Sequence, residues 1–130
     1  MSINITTTLN GSRFKVIELY LIGDAGGDLT DEVISDPSAD GDIANTKYSI
    51  ENVQFSLHGF AANLEFDYLA TDSPKVMMPM DISDHLCFEH TGGLIDRSGV
   101  DGTGKLLLNT TGLVAGSQGH LVIKLRKRQG

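Results

Sequence analysis

The chain has 130 residues, which fits one domain that buries roughly two-thirds of its surface without metals or disulfides. Its net charge of −7 argues against nucleic acid as a partner, because phosphate binding depends on clustered Lys and Arg. The single Cys87 excludes an internal disulfide, and no run approaches the ~18 apolar residues of a membrane span. We therefore expect neither a disulfide scaffold nor a membrane partner. The N-terminus lacks a secretory pattern, so we expect production in the cytoplasm.

The chain begins with a polar, β-branched segment, residues 3–8, and reaches Asn10-Gly11 before a second strand-like run over residues 14–22. Asn-Gly between two such segments is a strong hairpin signal, because both residues tolerate positive φ. We predict that the two segments pair. Alternation within the second one places three aliphatic side chains on one face: Ile17, Leu19 and Leu21.

Residues 23–46 are rich in Gly, Asp and Ser and contain one short candidate strand, residues 29–34. The loop over residues 36–45 is a candidate contact loop, since long loops in compact domains are often functional. Further along, residues 53–58 and 64–68 alternate between apolar and polar side chains. Residues 59–61 between them look like a turn, so we predict a central β-hairpin.

The next apolar stretch, residues 76–80, contains Pro79, which forbids a central strand position. Its methionines favour core packing, with an adaptable contact surface as the alternative. Strand-like runs follow over residues 82–90, 106–108 and 120–125. We predict one all-β domain, an antiparallel β-sandwich or jelly roll of about eight strands, with residues 1–11 as a candidate N-terminal arm.

Three patterns carry possible chemistry. Residues 99–105 match most of a phosphate-binding loop, but Leu106 replaces the Ser or Thr that holds magnesium, and a strand replaces the required helix. A strand over residues 84–90 would place His85, Cys87 and Glu89 on one face near His90, as possible zinc ligands. The favoured interpretation is a half-buried strand with Leu86 and Phe88 inward, because zinc sites usually need a second ligand pair.

The third pattern resembles a calcium loop, with Asp36, Ser38, Asp40, Gly41 and Asp42, but its twelfth position is Lys47 instead of a bidentate Glu. A solvated turn is the favoured interpretation. Two further histidines, at positions 58 and 120, fall on polar strand faces and could line a shared cleft, although exposed strand histidines are commoner. We expect no catalysis and no cofactor.

Charge is divided unevenly along the chain. A basic end carries Lys124, Arg126, Lys127 and Arg128, whereas the acidic residues are concentrated earlier, at Asp24, Asp28, Asp31, Glu32, Asp36, Asp40 and Asp42. The favoured interpretation is two solvated faces, which also discourage strand pairing between molecules. Pairing of the two between subunits is the alternative.

Residues 17–32, 59–67 and 119–128 together resemble small virion proteins of tailed bacteriophages, and more narrowly the capsid decoration, or cement, class. The resemblance implies a β-rich subunit, commonly a homotrimer, that binds the major capsid protein on the capsid exterior. It brings no active-site residues. A head-to-tail completion or tail protein is the alternative within virion proteins. A carbohydrate-binding receptor-recognition module and a metal-dependent enzyme are alternatives of other classes.

A symmetric trimer would bury one apolar face of each subunit. We predict that the partner-binding surface is formed by six residues, Val76, Met77, Met78, Met80, Leu113 and Val114. The polar N-terminus could instead extend and add a strand to a neighbour.

Overall fold

The computed structural model describes residues 2–11, 13–24, 27–38, 46–68, 77–88, 93–95 and 102–129. Within these ranges the chain is all-β, without a helix, and every strand belongs to one antiparallel sheet. No helix of the described residues is therefore long and apolar enough to cross a membrane. The eight strands are β1 (Ser2–Asn10), β2 (Phe14–Ile22), β3 (Glu32–Ser35), β4 (Thr46–Tyr68), β5 (Met77–Cys87), β6 (Leu94–Ile95), β7 (Gly102–Thr111) and β8 (Gln118–Gln129).

The predicted first hairpin is confirmed, since β1 pairs antiparallel with β2 from Ser2 opposite Ile22 to Asn10 opposite Lys15. The connection is longer than a two-residue turn, and the Gly11 amide donates to the Phe14 carbonyl at 2.9 Å. Residues 2–10, which belong to the candidate N-terminal arm, therefore form the first strand of the sheet.

The predicted central hairpin is wrong. Residues 46–68 form one continuous 23-residue strand, β4, which bends near Gly59 instead of reversing. Gly59 has a φ of 86°, and the register against β5 jumps from Ser56 opposite Ser83 to Ala61 opposite Asp81. Four residues of β4 thus oppose one residue of β5, Ile82, which itself has a φ of 62°. A bulge of this kind bends a strand and re-aims its side chains without ending it.

The bend transfers β4 from one neighbour to another. Its first half pairs with β8 as far as His58, and its second half pairs with β7 from Ala61 onward. On its opposite edge β4 is followed by β5 and, near Ser49, by β6. In the strand order β1-β2-β8-β4-β7-β3, two groups of strands, here called wings, therefore extend from β4. The wing β1-β2-β8 pairs with β4 before the bend, and the wing β7-β3 pairs with β4 after it.

The core lies between these wings and follows the alternation predicted from the sequence. Side chains of β2 and β8 that were predicted to share a face are fully buried: Ile17, Leu19, Leu21, Leu121, Ile123 and Leu125. The bent β4 contributes Val53, Phe55 and Leu57 before the bend and Leu64 and Phe66 after it, all buried. Burial of each such side chain contributes about 1.5–3 kcal/mol, so this face is a main source of the stability of the fold.

Pro79 lies on β5, opposite Asn63 of β4, and among the described strands β5 pairs only with β4. The prediction that Pro79 excludes a central strand position is confirmed, because proline lacks the amide that a second neighbour would require. The short strand predicted at residues 29–34 is found slightly later, as β3.

Candidate functional site

A shallow groove crosses the outer face of the sheet. Cross-strand register aligns Tyr20 of β2 with His120 of β8, His120 with Ser56 of β4, and Ser56 with Ser83 of β5. Alternation points Tyr20, Ser56 and His120 outward, because the residues before and after them in β2, β4 and β8 are buried, and Ser83 is exposed on β5. The groove therefore exists because four strands with long sequence separations bring one polar row together.

The groove has two adjoining depressions. The first has a volume of about 220 Å³ and is lined by Tyr20, Ser56, His58, Gln118, Gly119 and His120. The second, of about 330 Å³, is lined by Gln54, Phe55, Ser56, Ser83, Asp84, His85 and His120. Ser56 and His120 belong to both, so the two depressions form one continuous surface.

His120 is held in place by two neighbours on β2. Its Nε2 lies 2.7 Å from Glu18 Oε1, and its ring meets the Tyr20 ring edge-on, with centroids 6.0 Å apart and an interplanar angle of 63°. The pair of side chains is half exposed, at 42% for His120 and 45% for Glu18. Such an exposed pair contributes little stability, but it fixes the orientation of the imidazole.

His85 has a similar arrangement at the other end of the groove. Its Nε2 lies 2.6 Å from Asn52 Oδ1, and its backbone amide donates to the Asp84 carboxylate at 2.7 Å. His58 and His120 both line the first depression, and His58 is exposed, in line with the favoured interpretation of exposed strand histidines. The sequence did not indicate that Tyr20 and Gln118 would join them, because that depends on the register of β8 between β2 and β4.

Ser56, His120 and Glu18 are the residue types of a hydrolytic triad. However, the Ser56 hydroxyl makes no hydrogen bond within the described part of the chain, and Nε2 of His120 is paired with Glu18. A serine nucleophile requires the imidazole to accept its proton directly. In the described part of the chain, Ser56 and His120 are thus neighbours on an outer face of the sheet whose side chains are not joined by a hydrogen bond.

The candidate zinc ligands lie on β5 and beyond it. His85 and Cys87 are exposed, while Leu86 and Phe88 pack partly buried against the core, as the favoured interpretation predicted. Glu89 and His90 lie outside the described residues. Among those that are described, no three His, Cys, Asp or Glu side chains come close enough to share a metal ion.

The candidate calcium loop is described at its start and at its twelfth position, Lys47, which lies on β4. The Asp36 carboxylate accepts hydrogen bonds from both the amide and the hydroxyl of Ser38, each at 3.0 Å. Asp40, Gly41 and Asp42 lie outside the described residues. The described start is an Asx-type turn, in which a side chain caps the backbone two residues ahead.

The residues of the predicted partner-binding surface are separated by the fold. Met78, Met80 and Leu113 are buried in the core, at 5%, 2% and 1% exposure. Val114, at 59%, points to solvent. Val76 lies outside the described residues, as does the side chain of Met77. The partner contact itself stays a prediction, and Val114 is its accessible member in the described ranges.

The basic end of β8 makes contacts within the chain. Lys124 Nζ and Arg126 Cζ lie 4.7 and 5.4 Å from the centroid of the Phe14 ring. Arg126 Nε is also 3.6 Å from Glu51 Oε1, and Arg128 Nε donates to Ser49 Oγ at 2.9 Å. Arg126 therefore has a carboxylate partner in its own chain, while Lys124 contacts an aromatic ring and Arg128 a hydroxyl there.

Asp28, from the acidic stretch, connects the segment before β3 to the turn after β7. Its Oδ1 accepts from the Leu113 amide at 2.7 Å and from Thr110 Oγ1 at 3.1 Å, and its Oδ2 accepts from the Gly112 amide at 3.2 Å. The Leu113 hydrogen bond is the main reason that the pKa of Asp28 lies below its ordinary value of 3.8, against an opposing desolvation effect. Sequence patterning identified Asp28 only as one of many acidic residues.

Comparisons with known proteins do not show a family. No protein-family model matches the chain, and no curated protein matches it. Among solved structures, the chain is similar to peruvianin-I, a cysteine peptidase from Thevetia peruviana latex, with a TM-score of 0.43 and 12% identity. The match covers 98% of this chain and 64% of the peptidase chain. This chain therefore spans less than two-thirds of the length of the peptidase.

Proposed function

We propose that the chain is a viral structural protein, a capsid decoration protein that binds the major capsid protein on the outside of a bacteriophage head. The proposal starts from the resemblance of residues 17–32, 59–67 and 119–128 to that class. One structural observation supports it: a long, uncharged strand edge, with one register shift between Thr7 and Leu9, runs along one side of the sheet.

Four strands have an edge without a partner strand in the described part of the chain, namely β1, β3, β5 and β6. Three of them are short or blunted, and β6 has only two residues. β3 has only four residues and includes Glu32, and β5 carries Pro79 and the exposed Asp81 and Asp84. Short length, charge and proline are the usual means by which proteins prevent edge pairing.

β1 has none of these protections. It has nine residues, no charge and no proline, and it is rich in Ile and Thr. Ile5 shares the inner face of the sheet with Ile3, yet it is 37% exposed while Ile3 packs against the core. An uncharged, β-branched edge of this length pairs readily with a further strand. β1 is therefore the edge that we assign to the capsid.

A decoration subunit needs little more than such an edge. A protein that binds an assembled lattice, and not its free subunits, stabilises the lattice by mass action even when each contact is weak. Self-association into a homotrimer would multiply the contacts and raise the avidity. In this proposal the two wings of the sheet are the two layers of a β-sandwich or jelly roll, and the product resides on the virion exterior after assembly in the host cytoplasm.

The copy number per particle tests the proposal. Particles would be purified from cells that carry the gene, and the chain would be quantified against the major capsid protein by mass spectrometry with isotope-labelled peptides. A decoration protein is expected at a stoichiometry comparable with the capsid protein. A stoichiometry of one small ring per particle would favour the head-to-tail completion or tail alternative, and absence from particles would overturn both.

A pair of variants tests the assigned edge. Ile5→Lys places a charge on β1, whereas Ile22→Lys places the same charge on β2, where Ile22 is 46% exposed. We expect Ile5→Lys to bind undecorated capsids at least about tenfold more weakly, and Ile22→Lys to bind them as the parent does. Equal binding by all three proteins would contradict the assignment of β1.

A further inference from the structure

The groove on the outer face has the chemical composition of a binding site, and the capsid proposal does not use it. It crosses β2, β8, β4 and β5, whereas the edge assigned to the capsid is β1. The two depressions of about 220 and 330 Å³ adjoin at Ser56 and His120, so an elongated ligand can occupy both.

One wall of the groove offers a fixed aromatic face. Tyr20 is 47% exposed, and its ring is supported by the edge-on contact with His120, which is held in turn by Glu18 at 2.7 Å. An aromatic side chain fixed in this way presents apolar area at little cost in conformational entropy. Only a ligand with a flat apolar side makes use of it.

The remaining lining consists of hydrogen-bonding groups. Gln118, His58 and Ser56 line the first depression, and Gln54, Ser83 and Asp84 line the second. Amide, hydroxyl and imidazole groups both donate and accept, and a carboxylate accepts from hydroxyls. Among the described residues, the lining includes neither Lys nor Arg, so a phosphate, sulfate or carboxylate ligand would meet no permanent positive charge from them, and Asp84 would repel it.

We propose that this groove binds a neutral saccharide, with the apolar side of one sugar ring on Tyr20 and the next ring hydrogen-bonded in the depression beside Asp84. A saccharide fits both kinds of lining, since each ring has an apolar side that can contact Tyr20 and a periphery of hydroxyls that can bond to the polar side chains. Two adjoining depressions match a disaccharide unit of a longer glycan. The inference does not depend on binding to a capsid.

Titration of the ¹⁵N-labelled intact chain, followed by ¹H–¹⁵N correlation NMR, provides the test, with cellobiose, maltose and N,N′-diacetylchitobiose as neutral probes and inorganic phosphate as the anionic probe. We expect at least one neutral disaccharide to bind and to shift the amide resonances of Tyr20, Gln118 and His120. Tyr20→Ala should weaken that binding about tenfold, whereas Tyr20→Phe, which keeps the ring, should change it by less than about threefold.

Ile22→Ala is the matched control, because Ile22 lies on the same strand and the same face with 46% exposure, but outside the groove. It should leave binding unchanged. Unchanged amide spectra away from position 20 would establish that each variant is folded. The proposal is overturned if none of the three disaccharides binds, if phosphate binds in their place, or if Tyr20→Ala and Ile22→Ala have equal effects.

Discussion

The Lys15 ammonium donates a hydrogen bond to the Ser35 hydroxyl at 2.8 Å and thereby joins β2 to β3, which belong to different wings of the sheet. Both residues are 3% exposed, and Lys15 Nζ also lies 5.8 Å from the centroid of the Tyr48 ring. A buried ammonium is tolerated only when its protons have acceptors. This contact therefore helps to hold the two wings together around the core.

Ser35→Ala should lower the free energy of unfolding by about 1–3 kcal/mol, because the buried ammonium loses one acceptor and gains no access to water. Urea denaturation measures the difference. Ser38→Ala is the control, since Ser38 is exposed and its hydroxyl bonds to the nearby Asp36 carboxylate. Identical midpoints for the parent and Ser35→Ala would show that the contact does not stabilise the fold.

Asp28→Asn should destabilise the protein in a pH-dependent way. The folded state holds the pKa of Asp28 below 3.8, mainly through the Leu113 amide, so the charged carboxylate stabilises the fold at pH values above 3.8. That stabilisation declines as the pH falls below 3.8 and is lost once the folded-state carboxyl is protonated. Urea midpoints for the two proteins should thus differ most near neutral pH and converge in acid.

Asp81→Asn is the control for this experiment, because Asp81 is an exposed carboxylate on β5. It should give a curve of stability against pH that is close to the parent's. A gap between Asp28→Asn and the parent that stays constant from neutral pH into acid would contradict the role of the Asp28 charge.

Gly59→Ala should destabilise the bend of β4 by about 1–3 kcal/mol, the usual cost of a non-glycine residue in a sparsely populated backbone region. Gly59 has a φ of 86°, and an added Cβ would lie 3.1 Å from Ser117 Oγ. At Gly11, φ lies outside the left-handed region, and a Cβ would lie 3.6 Å from its nearest neighbour, the Phe14 carbonyl oxygen. Thermal unfolding should therefore show a loss for Gly59→Ala and almost none for Gly11→Ala.

Val114→Asp and Met80→Ala should separate association from folding. Val114 is 59% exposed, so Val114→Asp should keep the urea midpoint while weakening self-association in sedimentation velocity. Met80 is 2% exposed, and Met80→Ala should cost about 2–5 kcal/mol of stability through the cavity that it leaves. A parent protein that sediments as a monomer at all concentrations would reject the predicted homotrimer.

The strand faces could be predicted because they are local. Ile17, Leu19 and Leu21 alternate with Glu18 and Tyr20, and in a strand a period of two residues assigns side chains to opposite faces whatever the tertiary context. The same reasoning correctly placed Pro79 on an edge strand, since the missing amide is a property of the residue itself.

The central hairpin could not be judged in the same way. Gly59 permits positive φ in a reversing turn and in a bulge alike, so the residues around it do not decide whether the chain turns back or bends and continues. In the structure, β8 before the bend and β7 after it supply successive neighbours along the same strand. Hydrogen bonds to those distant segments therefore keep β4 extended on both sides of the bend.

The amino-acid sequence by itself determined that this protein is built from antiparallel strands and which side chains of β2 and β8 enter the core. Only the tertiary structure decided that Tyr20, His120 and Ser56 form one groove, because register between strands 36 to 100 positions apart is set by the packing of the whole core. The same holds for Asp28, whose partners lie 82 to 85 positions away. Local patterning specifies the face of a residue, whereas its neighbours on that face are specified by long-range pairing.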